Sequence, residues 1–339
     1  MNGYRPRRWL AGFSLIELMV ALVIGAILIA GAVTVYSRSR VTYRVNEMAA
    51  RMQETARYAM DFIESDLRMA SYWGLNSRPE LVLNRASPVG QVPSEFSTAT
   101  WATLCGTAYA LNLDNFVEGL DDRPAGNGAT NFGLTCNPQG NGNVAGSDVL
   151  IVRRASNDPV ATIAANRVYL QTSRIQGVVF VPPSGCTDPT DTACIPAGYL
   201  PPLSQTHDLV VNAYYVAQQS IGDASQPALR RKALIAGPAI DDQEIIPGVE
   251  DLQLEFGVDA NGDGSADYYV AGDDVPVGTG DPVISVRVWL RVRADAPDFS
   301  FTDGTTYTYA GRSFTPAGAA ANFRRALFSK TIQLRNTRL

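Results

Sequence analysis

The sequence predicts an α+β protein, with one long N-terminal helix followed by a head built on a mainly antiparallel β-sheet. Three observations carry this. Residues 13–78 contain no proline and keep a helical pattern throughout, apolar at first and amphipathic after. Seven runs rich in β-branched and aromatic residues follow, punctuated by Gly, Pro, Asn and Asp. No helical pattern of crossover length lies between those runs, so a parallel sheet is disfavoured.

The N-terminus reads in three parts. Residues 1–12, MNGYRPRRWLAG, hold Arg5, Arg7 and Arg8 and no acid. The apolar stretch from Phe13 to Tyr36 is 24 residues long, enough at ~1.5 Å per residue to span a bilayer core. The preceding bases favour a cytoplasmic N-terminus, against the vote of Arg38, Arg40 and Arg44 on the far side. Within this stretch sits an acid, Glu17. A secretory signal cut after Ala30–Ala32 would have an overlong apolar region with a carboxylate inside it. A plain membrane anchor would give Glu17 no role and a penalty of a few kcal/mol. Cleavage after Gly12 gives it one. The new amine on Phe13 then lies one helical turn away, and in an assembly the carboxylate can face a neighbour's amine.

From Ser37 to Gly74 the helix pattern continues, with a stripe of Val41, Val45, Met48, Met52, Ala59, Phe62 or Ile63, Leu67 and Ala70. Arg44, Glu47, Arg51, Glu54, Arg57, Asp61, Glu64, Asp66 and Arg68 take the other faces. Candidate strands are 148–154, 177–181, 208–218, 229–236, 249–258, 283–293 and 325–335, with 208–218 and 229–236 forming a hairpin. In VISVRVWLRVR, Ile284, Val286, Val288, Leu290 and Val292 share one face and Arg287, Arg291 and Arg293 a solvated one. Segment 119–147 reads as a long irregular loop.

A basic leader, Gly12, Phe13, Glu17 and a long apolar helix together resemble the N-terminus of type IV prepilins. The resemblance implies a pilin-like fold: leader 1–12 (removed), membrane and assembly half 13–36, amphipathic half 37–74, and extracytoplasmic head 75–339. It implies cleavage between Gly12 and Phe13 by a prepilin peptidase, N-methylation of Phe13, and Glu17 as an assembly contact. The stretches 246–270, 283–293 and 324–336 resemble PilW-type minor pilins. That implies a structural subunit that helps initiate pilus assembly and sits in the tip complex, serving twitching motility and adhesion. Implied partners are other minor pilins, the major pilin, a tip adhesin and an inner-membrane assembly platform. The implied location is the inner membrane of a Gram-negative bacterium, head in the periplasm, and afterwards the pilus tip. Two other readings stand beside it: an adhesin with 119–147 as contact surface, and a pseudopilin of a type II secretion system.

Cys105, Cys136, Cys186 and Cys194 show no zinc spacing, and an exported head favours two disulfides. Three pairings exist; the local one, Cys105–Cys136 and Cys186–Cys194, is preferred. DANGDGSAD places Asp259, Asn261, Asp263, Ser265 and Asp267 at calcium-loop positions 1, 3, 5, 7 and 9, with Gly264 at the tight turn. Position 12 is Val270, so Asp273, Asp274 or water would complete a Ca2+ shell; the alternative is a solvated turn between two strands. The pairs Asp121/Asp122, Asp241/Asp242 and Asp273/Asp274 read as solvated acids. His207, the single histidine, reads as structural, and no nucleophile elbow, phosphate loop or dinucleotide fingerprint occurs, so no enzyme is expected. Removing the leader leaves 25 bases against 33 acids, a side-chain charge of −8, which disfavours nucleic-acid binding.

Overall fold

The computed structural model describes residues 12–86, 105, 109–128, 134, 136–199, 202–237, 239–275 and 282–337. Contacts divide the chain into Met1–Ala50 and Arg51–Leu339. Helix α1, Leu15–Met69, supplies the first unit and enters the second. In the first unit every large apolar side chain from Phe13 to Tyr36 is more than half exposed. The most apolar 18-residue window has a mean hydropathy of 2.7, so this surface is stable only in apolar surroundings.

In the second unit α1 buries Met52, Ala56, Ala59, Met60, Ile63 and Leu67. Their spacing of three and four residues puts them on one face. Ile63, not Phe62, is the fully buried one of that pair. Full burial of Ile63 and Leu67 contributes about 1.5–3 kcal/mol each. The stripe is buried only from Met52 onward, and Val41 is exposed. The helix also ends earlier than the sequence predicts, at Met69 rather than Gly74, because Ser71 turns into the left-handed region at φ 61°.

The strands are β1 (Val82–Leu83), β2 (Val117–Arg123), β3 (Ser147–Ala155), β4 (Tyr169–Ser173), β5 (Gly177–Phe180), β6 (Ser204–Ala217), β7 (Ala228–Ile235), β8 (Ala239–Pro247), β9 (Val249–Val258), β10 (Tyr268–Val270), β11 (Val283–Arg293), β12 (Tyr307–Tyr309), β13 (Arg312–Phe314) and β14 (Arg325–Gln333). One sheet runs β1-β5-β4-β6-β3-β2, with β7 on β6 and β8 on β7; a second runs β10-β9-β11-β14; β12 and β13 form a hairpin. Every pairing among the described strands is antiparallel except the two-residue β1–β5 contact. Strand β6 is the spine of the first sheet. Its first residues pair with β4, its last with β7, and β3 lies along its other edge.

Polar side chains of β3 join the two sheets. The Ser147 hydroxyl both donates to Leu252 O (3.3 Å) and accepts from Leu252 N–H (3.1 Å), and Asp148 Oδ2 accepts from Leu254 N–H (2.8 Å). The free edge of β9 is thus satisfied by side chains standing in for a ladder.

Segment 119–147 is not one irregular loop. Its first residues belong to β2, and Gly126, Asn143 and Ala217 are tied by bridges. The solvated arginine face of β11 is also corrected. Arg291 is buried between Glu250 (3.0 Å) and Asp251 (3.4 Å), with its guanidinium 3.6 Å from the Phe314 ring centre. Arg293 stacks 4.2 Å from Phe323 and Arg287 3.9 Å from Tyr269. Each of the three acid pairs has a member in an ion pair, Asp122 with Arg312 at 2.7 Å. Asp242 is held by Arg230 (2.8 Å) and Lys232 (2.6 Å), and Asp273 by Arg123 (2.8 Å). These acids are paid for by bases that the sequence spreads over separate strands.

Candidate functional site

At the N-terminus Gly12, Phe13 and Ser14 are exposed and outside regular secondary structure, and α1 begins one residue later. The Gly12–Phe13 bond therefore lies outside the helix, where a peptidase can reach it; residues 1–11 of the leader lie outside the described residues. Glu17 Oε2 accepts from Ser14 N–H (2.9 Å) and the Ser14 hydroxyl (2.9 Å), while Ser14 Oγ accepts from Glu17 N–H (3.3 Å). This is a capping box, in which two helix-end donors are satisfied reciprocally. Ser-x-x-Glu at residues 14–17 is its signature, a signal the sequence reading passed over. The carboxylate also sits at the positive end of the helix dipole. Glu17 thus has a local partner before any neighbour supplies one.

The helix is fixed to the head sheet by buried polar contacts. Asp66 is 4% exposed and accepts from Arg154 (2.9 Å), Asn212 Nδ2 (2.5 Å) and Tyr214 OH (2.6 Å). Burial and the neighbouring Asp66 carboxylate push the Tyr214 phenol well above its usual range. Glu64 pairs with Lys330 of β14 and with Arg68; the bond from Lys330 is the main cause holding its carboxyl below the usual value. Both acids fall among residues the sequence places on solvated helix faces. Only the tertiary arrangement, with Arg154 and Tyr214 on neighbouring strands, shows what they do.

The predicted calcium loop joins β9 to β10. Asp259 is buried and accepts from the N–H groups of Gly262 (2.7 Å), Asp263 (3.2 Å) and Gly264 (2.8 Å). Asn261 Oδ1 accepts from Asp263 N–H, Asp263 Oδ1 from Ser265 N–H, and Asp267 Oδ2 from Ala260 and Asn261 N–H. Gly264, at φ 82°, makes the turn that a β-carbon would strain. Asp273 does not fold back onto this loop. It accepts from Asp121 N–H (3.0 Å) and Arg123, while Val270 pairs with Phe256 in the ladder. Neither Asp273 nor Val270 therefore takes the position-12 role. Among the described residues, three acids whose oxygens do converge, all within 4.8 Å, are Asp121, Asp122 and Asp148. Burial is the largest cause that pushes Asp148 up, to about 8, with Asp121 and Asp251 adding to it.

Cys105 pairs with Cys136, and Cys186 with Cys194. His207 is fully buried on β6, with Nδ1 2.9 Å from Ser156 O, and burial lowers its pKa. Its ring packs against Gly74, where a β-carbon would come within 2.8 Å of Nε2. This histidine fills the space under the helix end.

Residues 11–33 match the prokaryotic N-terminal methylation motif, and residues 213–336 match the type IV pilus-assembly protein W family. The two matched segments are similar to type IV pilins, the second to the PilW type. The PilW match begins inside β6 and covers the rest of the strands to β14. It therefore includes the β9–β11–β14 sheet and the whole buried network of Glu250, Arg291 and Arg325. A type IV-like pilin from Thermus thermophilus aligns over 57% of this chain and 80% of its own, at 15% identity and a TM-score of 0.25. No curated protein sequence matches. The methylation motif and the apolar helix together fit a chain anchored in a membrane before assembly.

Proposed function

We propose that this chain is a structural subunit of a type IV pilus that helps initiate the fibre and takes a place in its tip complex. The observation that carries the reading is the N-terminus: an exposed Gly12–Phe13 bond, then Glu17, then an apolar helical stretch whose large side chains are more than half exposed among the described residues. An assembly of such helices buries that surface and brings each Glu17 toward a neighbour's new amine. Cleavage and N-methylation at Phe13 by the prepilin peptidase belong to the same reading. So do a single pass through the inner membrane of a Gram-negative cell, a periplasmic head, and contacts with other minor pilins, the major pilin, a tip adhesin and the assembly platform.

Deleting the gene tests it. The expected result is loss of surface pili and twitching, with exoprotein secretion intact. Normal piliation with lost adhesion would make the head an adhesin, and lost secretion with pili intact would make the chain a secretion pseudopilin.

We propose further that the turn from Asp259 to Asp267 takes calcium, with Asp259, Asn261, Asp263, Asp267 and the Ser265 carbonyl as ligands and water completing the shell. The bound ion would stiffen the β9–β10 hairpin. Thermal melts of the full chain in detergent check this. Calcium at 100 times its dissociation constant adds about 2.7 kcal/mol, and equal midpoints with calcium and with chelator would sink the idea.

A further inference from the structure

Two ends of the Arg51–Leu339 unit carry complementary chemistry. The helix from Arg51 to Met69 runs about 27 Å between them. At one end Arg51 Nη1 lies 2.9 Å from Asp295 Oδ2, and Gln226 of the β6–β7 loop donates to Asp295 O (2.9 Å). At the other, Leu75 N–H donates to Thr172 Oγ1 (3.3 Å), which sets the β4–β5 turn beside the end of the helix.

That second end holds a groove of about 680 Å³ lined by Leu75, Arg174, Ile175, Tyr199 and Leu203 among others. Ile175 is 77% exposed and Leu203 79%. Arg174 forms no ion pair among the described residues. In a head where most arginines are paired with acids or stacked on rings, a bare guanidinium flanked by open apolar side chains is an unfilled receptor for an apolar group beside an anion. The first end offers that combination. Ile221 is 78% exposed at the β6–β7 loop, and Asp223, two residues on, is an exposed acid that accepts from Ser225 N–H (2.8 Å) and Oγ (2.7 Å) in its own turn, with Gln226 and Arg293 also favouring its charged form.

We infer that the β6–β7 loop of one copy seats in the Arg174 groove of a second copy, Ile221 against Ile175 and Leu203 and Asp223 on Arg174. The contact is heterologous, one end of a head on the opposite end of the next, so it propagates as a stack and does not close as a two-fold dimer. It rests on these two surfaces and not on processing of the N-terminus.

Sedimentation of the full chain in detergent, with Arg174→Asp and Asp223→Arg, tests it. Both positions are at the surface, and thermal melts matching the unaltered chain establish that each variant is folded. The unaltered chain should self-associate with concentration, more weakly at high salt. Each variant alone should lose at least about tenfold in association, since like charges then face one another. An equimolar mixture should recover it, because each groove then meets a loop of opposite sign. A monodisperse unaltered chain, a variant that associates as the unaltered chain does, or a mixture as inert as its components would each overturn the inference. A second measurement does not depend on charge. All four native cysteines are in disulfides, so Arg174→Cys on one chain and Asp223→Cys on another supply the free thiols. Oxidation should link the two unlike chains, and products no richer in that pair than in like pairs would overturn it.

Discussion

At the scale of single residues, Asp148 shows how one buried carboxylate can make a structure sensitive to pH. Its two oxygens accept from Asp122 and Leu254 N–H, bonds that favour the ionised form, yet burial dominates and raises its pKa to about 8. In the unfolded chain it titrates near 4. The folded state therefore holds a proton that the unfolded state has lost anywhere between about pH 4 and pH 8, and stability falls as pH rises through that window. Asp148→Asn removes this titration and leaves one backbone N–H without an acceptor, at about 1–3 kcal/mol. The variant should be less stable than the unaltered chain at pH 5, with the deficit shrinking toward pH 8. Urea unfolding at the two pH values measures it, and a deficit that grows with pH would contradict the assignment. Glu250 works in the opposite sense. Burial would raise it, but bonds from Arg325 and Arg291 outweigh that and hold it low.

Among elements, the central question is what fixes the helix to the sheet. The apolar stripe from Met52 to Leu67 was legible in the sequence because its period is helical and its residues are large. The strands at 249–258 and 283–293 were legible for the same kind of reason, and their predicted limits coincide with β9 and β11. Strands β2, β4 and β8 were not. Their sequences, VEGLDDR, YLQTS and AIDDQEIIP, carry acids and amides where a period-two apolar pattern is needed to stand out. The partners that make them strands, such as Arg230 and Lys232 opposite the acids of β8, lie on another strand. Asp66 is the clearest case. Nothing local marks it as buried, and its three donors come from residues 154, 212 and 214. Asp66→Ala should destabilise the chain by about 3–5 kcal/mol, because it strands the Arg154 charge and two further donors. Lys330→Ala, at a side chain 42% exposed, should change it by no more than about 1 kcal/mol. Equal effects in chemical denaturation would show that Asp66 is not the lock.

For the whole molecule, the two units answer to different solvents. Residues 15–36 expose an apolar surface that water does not tolerate, while the head buries an ordinary core around Trp73, Val149, Ile151, Leu170 and Val211. The N-terminal site was the most legible part of the sequence, since Gly12, Phe13 and Glu17 need no tertiary contact to be recognised. What the reading lacked was the second use of Glu17, as the capping partner of Ser14. Under the proposed processing, one carboxylate serves in turn as a helix cap and, after cleavage, as a group one turn from a free amine. The central claim is that the bond before Phe13 is cut and the new amine enters an assembly. Mass analysis of the N-terminal peptide of the protein recovered from cells tests it most directly. The account predicts a chain that begins with N-methylated Phe13; a chain beginning at Val33, or one still carrying residues 1–12, would contradict it.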